Sequence, residues 1–217
     1  MSKLYDSVSI QETQDWQDVP DKSRLTEMSM DKISQEYHIS KSEVRYLYLS
    51  FCALAPNKRM TIDHWTSAMG VRGVPRASHL AVQIFKSMDE DRDGLVLFQH
   101  YVKFTNLLAS SSIEDKARYS FRLLDHQEKG YIEQEDIAIM MLSLFEMWNI
   151  LTGSKVHLLP EYIERVMSIL DINQDKRIEL DEYVELYKSE DLVFPWWEWF
   201  NQGMLRLIQR TCLQKKL

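Results

Sequence analysis

The chain has 217 residues, of which 45% are hydrophobic and 27% are charged, and its formal net charge is −7 at pH 7. That length fits one compact domain or two closely packed lobes, and the negative charge argues against general nucleic-acid binding. Cys52 and Cys212 lack CxxC spacing, so we expect no disulfide framework and a reducing, cytoplasmic setting. The most apolar stretch, residues 137–151, contains Glu146 and is too short to span a bilayer.

Taken in chain order, residues 1–24 are polar and weakly patterned, and we expect a flexible extension there. Four twelve-residue polar segments follow at roughly regular spacing, each preceded by an apolar pair and each with a branched apolar residue in its eighth position. They are residues 55–66, 89–100, 125–136 and 171–182. The flanking segments have helical apolar spacing, so each copy indicates a helix, a loop and a helix.

This repeat predicts an all-α fold of four EF-hands in two pairs. Residues 25–110 would form the first pair and residues 111–190 the second. We expect a short β-bridge between the eighth residues of each two paired loops. These bridges would join Ile62 to Val96 and Ile132 to Ile178.

The fourth loop, residues 171–182, offers the oxygen ligands that calcium requires at positions 1, 3, 5, 7, 9 and 12 of such a loop. The predicted ligands are Asp171, Asn173, Asp175, the backbone carbonyl of Arg177, Glu179 and Glu182. Lys176 stands at position 6, where glycine is usual, and a left-handed lysine costs roughly 1–2 kcal/mol. That penalty weakens the site without abolishing it, so we predict one main Ca²⁺ site here.

The second loop is ambiguous. Asp89, Asp91, Asp93 and the backbone carbonyl of Leu95 form an acidic front, but His100 replaces the bidentate glutamate at position 12. We expect a weak second site for Mg²⁺ or Ca²⁺, because magnesium retains waters and needs fewer protein ligands. An imidazole at position 12 also permits a transition-metal site, and the alternative is a partly degraded loop with a solvent-facing His100.

The first and third loops are predicted to hold no metal. In the first, Ala55, Arg59 and Thr66 occupy positions 1, 5 and 12, and the guanidinium would repel a cation. In the third, Lys129 stands at position 5, and we expect its ammonium to pair with Asp125 in place of an ion.

Three stretches resemble the neuronal calcium sensor and calcineurin B branch of EF-hand proteins. They are "SEVRYLYLSFCALAP" (42–56), "SMDEDRDG" (87–94) and "SSIEDKARYSFRLLDHQEKGYIEQEDI" (111–137), within a likeness that covers roughly residues 25–205. Calaxin-like proteins, which sit on ciliary dynein arms, are similar to the third stretch about equally well. The resemblance implies a non-enzymatic sensor or regulatory subunit that grips a helix of a partner. Ser2 departs from this branch because it stands in place of the glycine that carries a myristoyl group.

Two apolar segments are candidates for partner contact: the helix after the third loop, and residues 191–217, which we predict to be an amphipathic C-terminal helix with a basic tail. The predicted partner-binding residues are Met140, Met141, Phe145, Trp148, Trp196, Trp197, Trp199 and Phe200. The helix either completes the core or presents a Met-rich groove. The tail folds back, docks on a partner helix or lies at a membrane interface, and the resemblance favours the first two.

The leading hypothesis is a calcium-binding regulatory subunit that binds a target protein through hydrophobic grooves. The alternative is a constitutive structural subunit of a larger assembly, such as a ciliary or axonemal dynein-associated complex, with little or no calcium switching. A simple calcium buffer is the weakest hypothesis because one good site of four gives poor capacity. We do not expect an enzyme, because no catalytic triad, phosphate loop or zinc spacing stands out.

Overall fold

The computed structural model describes residues 25, 27–109, 112–155, 157, 160–188 and 204. In chain order its elements are α1 (Glu27–Tyr37), α2 (Lys41–Leu54), α3 (Ile62–Ala68), α4 (Pro75–Met88), α5 (Phe98–Ala109), α6 (Ile113–Leu124), β1 (Tyr131–Ile132), α7 (Gln134–Thr152), α8 (Pro160–Leu170), β2 (Ile178–Glu179) and α9 (Leu180–Lys188). This arrangement confirms the predicted all-α fold of helix–loop–helix units. None of the helices in these ranges combines the length and apolar character that crossing a membrane requires.

Each loop is entered from an amphipathic helix whose apolar face is buried. Helix α2 begins with a reciprocal capping box, in which Ser40 Oγ accepts the Glu43 N–H and the Glu43 carboxylate accepts the Ser40 N–H. Along its inner face, Leu47 and Phe51 are buried in the core. Burial of one such side chain stabilises the fold by about 1.5–3 kcal/mol. The end of α2 is therefore fixed where the first loop begins.

The two loops of the second pair are joined as predicted. Strands β1 and β2 are antiparallel, with Ile132 opposite Ile178 and Tyr131 opposite Glu179. Both isoleucine side chains are completely buried. The third and fourth loops therefore share a short sheet and cannot move independently at this point.

The prediction for the first pair of loops was wrong in its register. Val96 is bridged to Met60, not to Ile62, and the two backbone N···O distances are 3.0 and 2.9 Å. Ile62 is instead the first residue of α3. The bridge therefore lies two residues earlier in the first loop than the eighth-position rule requires.

A two-residue deletion in the first loop explains this shift. Ala55 ends α2 in the same way that Asp89 ends α4, since each backbone N–H donates to the phenylalanine carbonyl four residues earlier. The exiting helix then begins early, with Thr61 as its N-cap. Thr66, predicted at position 12, consequently lies inside α3, where its Oγ1 donates to the Ile62 carbonyl at 2.8 Å.

The two EF-hand pairs pack on each other mainly through α4 and α7. The His79 ring on α4 meets the His126 ring of the third loop edge to face, with centroids 4.9 Å apart. The hydroxyls of Ser87 and Tyr119 are 2.6 Å apart and add a polar contact between α4 and α6. This region is called the α4–α7 joint below, and a cleft of about 770 Å³ lies beside it, lined by parts of the second and third loops.

Met204 is the described residue of the tail, and it is helical and buried within the hydrophobic core. This burial agrees with the option in which the tail folds back on the body of the protein. Trp196, Trp197, Trp199 and Phe200, predicted to bind a partner, lie outside the described residues, as does the N-terminal extension.

Candidate metal-binding site

The backbone of the fourth loop adopts the turn that glycine normally provides. Lys176 has φ = 70°, beside φ = 82° for Gly94 and 85° for Gly130 at the same position of their loops. Its N–H donates to Asp171 Oδ2 at 2.9 Å, just as the Gly94 N–H donates to Asp89 Oδ2 at 2.9 Å. The lysine therefore bears backbone strain but preserves the loop geometry.

The predicted ligands of the fourth loop are oriented by backbone hydrogen bonds. Asp171 Oδ1 accepts the Asp175 N–H at 3.1 Å, and Asp175 Oδ1 accepts the Arg177 N–H at 2.8 Å. Asn173 Oδ1 accepts the same Asp175 N–H at 2.9 Å. Such bonds hold the side-chain oxygens toward the loop interior, which is the arrangement that a hard cation with oxygen ligands requires.

Glu182 connects the two ends of the fourth loop. Its Oε1 accepts the Asn173 N–H at 3.3 Å, and its Oε2 accepts the Glu179 N–H at 3.1 Å. The glutamate at position 12 thus already faces the entering half of the loop, where positions 1, 3 and 5 lie. The donor set of oxygens fits Ca²⁺ in kind and in number.

The second loop brings its carboxylates closest together. Asp89, Asp91 and Asp93 are the one group of three or more acidic, histidine or cysteine side chains, among the described residues, with ligand atoms within 4.8 Å of one another. Asp89 is 8% exposed, and its Oδ1 is buried without a hydrogen-bond partner in the described part of the chain. A buried carboxylate oxygen in this state is destabilised by its neighbours unless a cation reaches it.

Position 12 of the second loop contributes no carboxylate. His100 Nδ1 lies 3.4 Å from the Leu97 nitrogen, in position to accept its N–H at the start of α5. This occupies one ring nitrogen, and the ring does not join the three carboxylates as a fourth close ligand. The loop therefore fits a cation that keeps several waters better than it fits Ca²⁺.

In the third loop a lysine ammonium contacts the carboxylates of positions 9 and 12. Lys129 Nζ lies 2.8 Å from Glu133 Oε2 and 2.7 Å from Asp136 Oδ2. The expected pairing of this ammonium with Asp125 was wrong, because both Asp125 oxygens already accept backbone N–H groups, from Lys129 and Gly130. Burial alone lowers the pKa of Lys129, but the hydrogen bonds to Asp136 and Glu133 outweigh it and raise the pKa.

Two residues with a positional role were not identified from the sequence. In the shortened first loop, His64 takes the place of position 12, and its Nδ1 lies 3.3 Å from the Thr61 nitrogen that it caps. A threonine three residues before a polar side chain is a capping signal that could have revealed the deletion. In the third loop, Asp136 is 1% exposed and accepts the Lys129 ammonium.

The predicted partner-binding residues of α7 lie mostly inside the protein in this conformation. Met140 and Met141 are each 2% exposed and belong to the core. Phe145 and Trp148 are half-buried, and Phe145 packs against that core. A groove that uses the two methionines would therefore have to open first.

The chain is similar in sequence to known proteins over most of its length. A family model described as an EF-hand domain pair matches residues 114–188. Guanylyl cyclase-activating protein 3 of Homo sapiens is 24% identical over 173 residues, which cover 78% of this chain and 81% of the relative. Guanylyl cyclase inhibitory protein of Lithobates pipiens is 29% identical over 146 residues, or 66% of this chain and 71% of the relative. Guanylyl cyclase-activating protein 2 of Gallus gallus is 21% identical over 156 residues, or 70% and 79%.

Proposed function

Because this chain is an EF-hand protein homologous to guanylyl cyclase-activating proteins, which belong to the neuronal calcium sensor branch, we propose that it is a calcium-responsive regulatory subunit. Its principal Ca²⁺ site is the fourth loop, and a weaker site for Mg²⁺ or Ca²⁺ lies in the second. The role is regulatory and not catalytic. The cellular location that we propose is the cytoplasm, including the interior of cilia. The chain has only two cysteines, and they lack CxxC spacing, as is usual for proteins of a reducing compartment.

One observation carries the assignment of the main site. Glu182 extends across the fourth loop to the Asn173 N–H, while Asp171 supports the left-handed Lys176 backbone. The loop thus keeps the fold of an ion-binding loop and a complete set of oxygen donors, despite its missing glycine. Its ligands are mostly exposed to solvent, so an ion can reach them without a rearrangement of the core.

We further propose that the target is a protein helix that binds an apolar groove of the second pair. Phe145 and Trp148, which are half-buried, belong to that groove, and the core methionines Met140 and Met141 on the same helix would be exposed by opening of the pair. The names of the relatives connect those proteins with guanylyl cyclase. A guanylyl cyclase is therefore the first target to assay with this chain.

Isothermal titration calorimetry with Ca²⁺ and with Mg²⁺ tests the metal assignment. We expect one Ca²⁺ binding event with a Kd of about 10⁻⁷–10⁻⁵ M, the range of sensor sites, and a second, weaker one. Glu182→Gln should abolish the tighter event and leave the weaker one. Asp89→Asn, the matched variant in the second loop, should do the reverse.

No Ca²⁺ binding at micromolar concentration would overturn the sensor assignment and favour the constitutive structural subunit. The same conclusion follows if the chain binds Ca²⁺ but its affinity for a target does not change with the ion. Loss of the tighter event in Asp89→Asn, but not in Glu182→Gln, would transfer the main site to the second loop.

A further inference from the structure

The third loop holds its own cation. Lys129 stands at position 5 of the loop, and its ammonium contacts the carboxylates of Glu133 and Asp136, which occupy positions 9 and 12. The Lys129 side chain is 19% exposed and that of Asp136 is 1% exposed, whereas that of Glu133 is 44% exposed. The pair of Lys129 and Asp136 is therefore more protected from water than the surface ion pairs among the described residues.

The rest of the loop closes around this pair as it would around an ion. Asp125, at position 1, is 6% exposed and accepts the N–H groups of Lys129 at 2.8 Å and of Gly130 at 2.7 Å. Asp136 Oδ2 also accepts the Glu133 N–H at 2.8 Å. Two buried carboxylates in one loop require compensation by hydrogen bonds and positive charge. The chain supplies it to both Asp125 oxygens and to Asp136 Oδ2, whereas Asp136 Oδ1 has no hydrogen-bond partner in the described part of the chain.

We propose that Lys129 is a built-in cation that holds the third EF-hand in a fixed, metal-independent arrangement. In a metal-binding hand the carboxylate at position 12 ties the exiting helix to the ion, and ion binding moves that helix. In the third loop the carboxylate at position 12, Asp136, contacts the Lys129 ammonium, which is part of the chain and cannot dissociate as an ion does. Helix α7, which begins directly after Glu133, is therefore held in position whether or not calcium is present.

The consequence reaches the whole molecule through the α4–α7 joint. Helix α7 is the element of the second pair that packs most extensively on the first pair, against α4. The other oxygen of Asp136 lies 3.4 Å from His126 Nδ1, and the His126 ring meets His79 on α4. The built-in cation thus fixes the joint, and calcium is left to act on α8 and α9 of the fourth hand. The fixed position of α7 does not depend on which loop is the calcium site, whereas the action of calcium on α8 and α9 rests on the proposed fourth-loop site.

The experiment removes the Lys129 ammonium and measures the stability of α7. Lys129→Met keeps an unbranched apolar side chain as far as the ε position and deletes the ammonium, while Lys129→Arg keeps the charge. Lys103→Met is the matched control, because Lys103 pairs with Glu90 on the surface, where the two side chains are 58% and 52% exposed. Thermal unfolding and amide hydrogen exchange are measured for each variant of the full chain in a calcium chelator.

We expect Lys129→Met to lower Tm by on the order of 10 °C, as loss of one partner of a buried ion pair does. Amide exchange in the first turns of α7 should accelerate at least about tenfold, as expected when local stability falls by about 1.4 kcal/mol or more. Lys129→Arg and Lys103→Met should leave α7 exchange close to that of the unchanged protein. Unaltered α7 exchange and Tm in Lys129→Met would overturn the proposal.

A second variant keeps the test decisive if Lys129→Met does not fold. Lys129→Asp combined with Asp136→Glu places a carboxylate at position 5 of the third loop and the longer glutamate, which can bind an ion with both oxygens, at position 12. We expect this double variant to gain one Ca²⁺ binding event by calorimetry and to show α7 protection only when Ca²⁺ is present. Equal α7 protection with and without Ca²⁺ in the double variant would contradict the role of Lys129.

Discussion

At the scale of single residues, the loops differ in which member of a shared pattern has been replaced. Lys176 replaces a glycine, which strains the backbone but removes no oxygen ligand. His100 and Lys129 each replace a residue that would ligate the ion. In the second loop, His100 accepts a backbone N–H at the start of α5. In the third loop, Lys129 provides an internal cation. The identity of the lost residue, more than the number of losses, decides whether a loop keeps its metal.

The carboxylates that contact Lys129 could be predicted only in part from the sequence. An ammonium in place of an ion was predictable from one lysine among acidic residues. Its partner was not, because the choice depends on which carboxylates remain free of backbone hydrogen bonds. Both Asp125 oxygens are occupied by N–H groups, and this leaves Asp136 and Glu133 to receive the ammonium.

The strain at Lys176 predicts a stabilising substitution. Lys176→Asn should raise the free energy of unfolding by about 1 kcal/mol, because asparagine enters the left-handed region at lower cost than lysine does. Chemical denaturation in the presence of Ca²⁺ measures this change. Lys155→Asn is the control for removal of a positive charge, since Lys155 is exposed and is not among the residues with positive φ. Equal effects of the two substitutions would show that charge, and not backbone strain, is responsible.

At the scale of secondary-structure elements, the repeat predicted the helices and the pairing of Ile132 with Ile178. It did not predict the register of the first pair, because Ile62 satisfied the eighth-position rule by coincidence. The deletion is detectable only where the exiting helix begins, at the Thr61 cap. Spacing counted from the start of a loop therefore fails when residues are lost inside the loop.

The β-bridge of the second pair should contribute strongly to stability. Ile178 is completely buried, so Ile178→Ala removes apolar contacts and leaves a cavity that costs about 2–5 kcal/mol. Ile172 belongs to the same loop but is 59% exposed, and Ile172→Ala should change the free energy of unfolding by less than about 0.5 kcal/mol. Urea denaturation of both variants checks the contrast. Similar small losses for both would mean that the bridge does not bear on stability.

At the scale of the whole molecule, the α4–α7 joint was not predictable from the sequence. The apolar surface of α7 was open to two interpretations, core or partner groove, because periodicity cannot say what covers a helix that is apolar nearly all round. The structure places Met140 and Met141 in the core. The part of the predicted partner surface that lies on α7 is thereby reduced, in this conformation, to the half-buried Phe145 and Trp148.

The joint should weaken in mildly acidic solution. Burial, followed by His126 and Lys86, lowers the pKa of His79 from its usual 6.5. As the pH falls below 6.5, the His79 ring is protonated in the unfolded chain before it is protonated in the folded chain. The free energy of unfolding therefore decreases as the pH falls from 6.5 through the lower pKa of the folded state. Urea denaturation between about pH 5 and 7.5 should show a flatter pH dependence for His79→Gln than for the unchanged protein. His157→Gln, at an exposed position, should keep the original slope.

We propose that calcium acts through the fourth hand while the third hand stays fixed. Amide hydrogen exchange of the full chain, measured with Ca²⁺ and with a chelator, distinguishes the two hands. At a Ca²⁺ concentration that fills only the tighter site, we expect increased protection in residues 171–182 and in α8 and α9, unchanged protection in α7 and α4, and no such effect in Glu182→Gln. Exchange that changes equally in α7 and α9, or in neither, would contradict it.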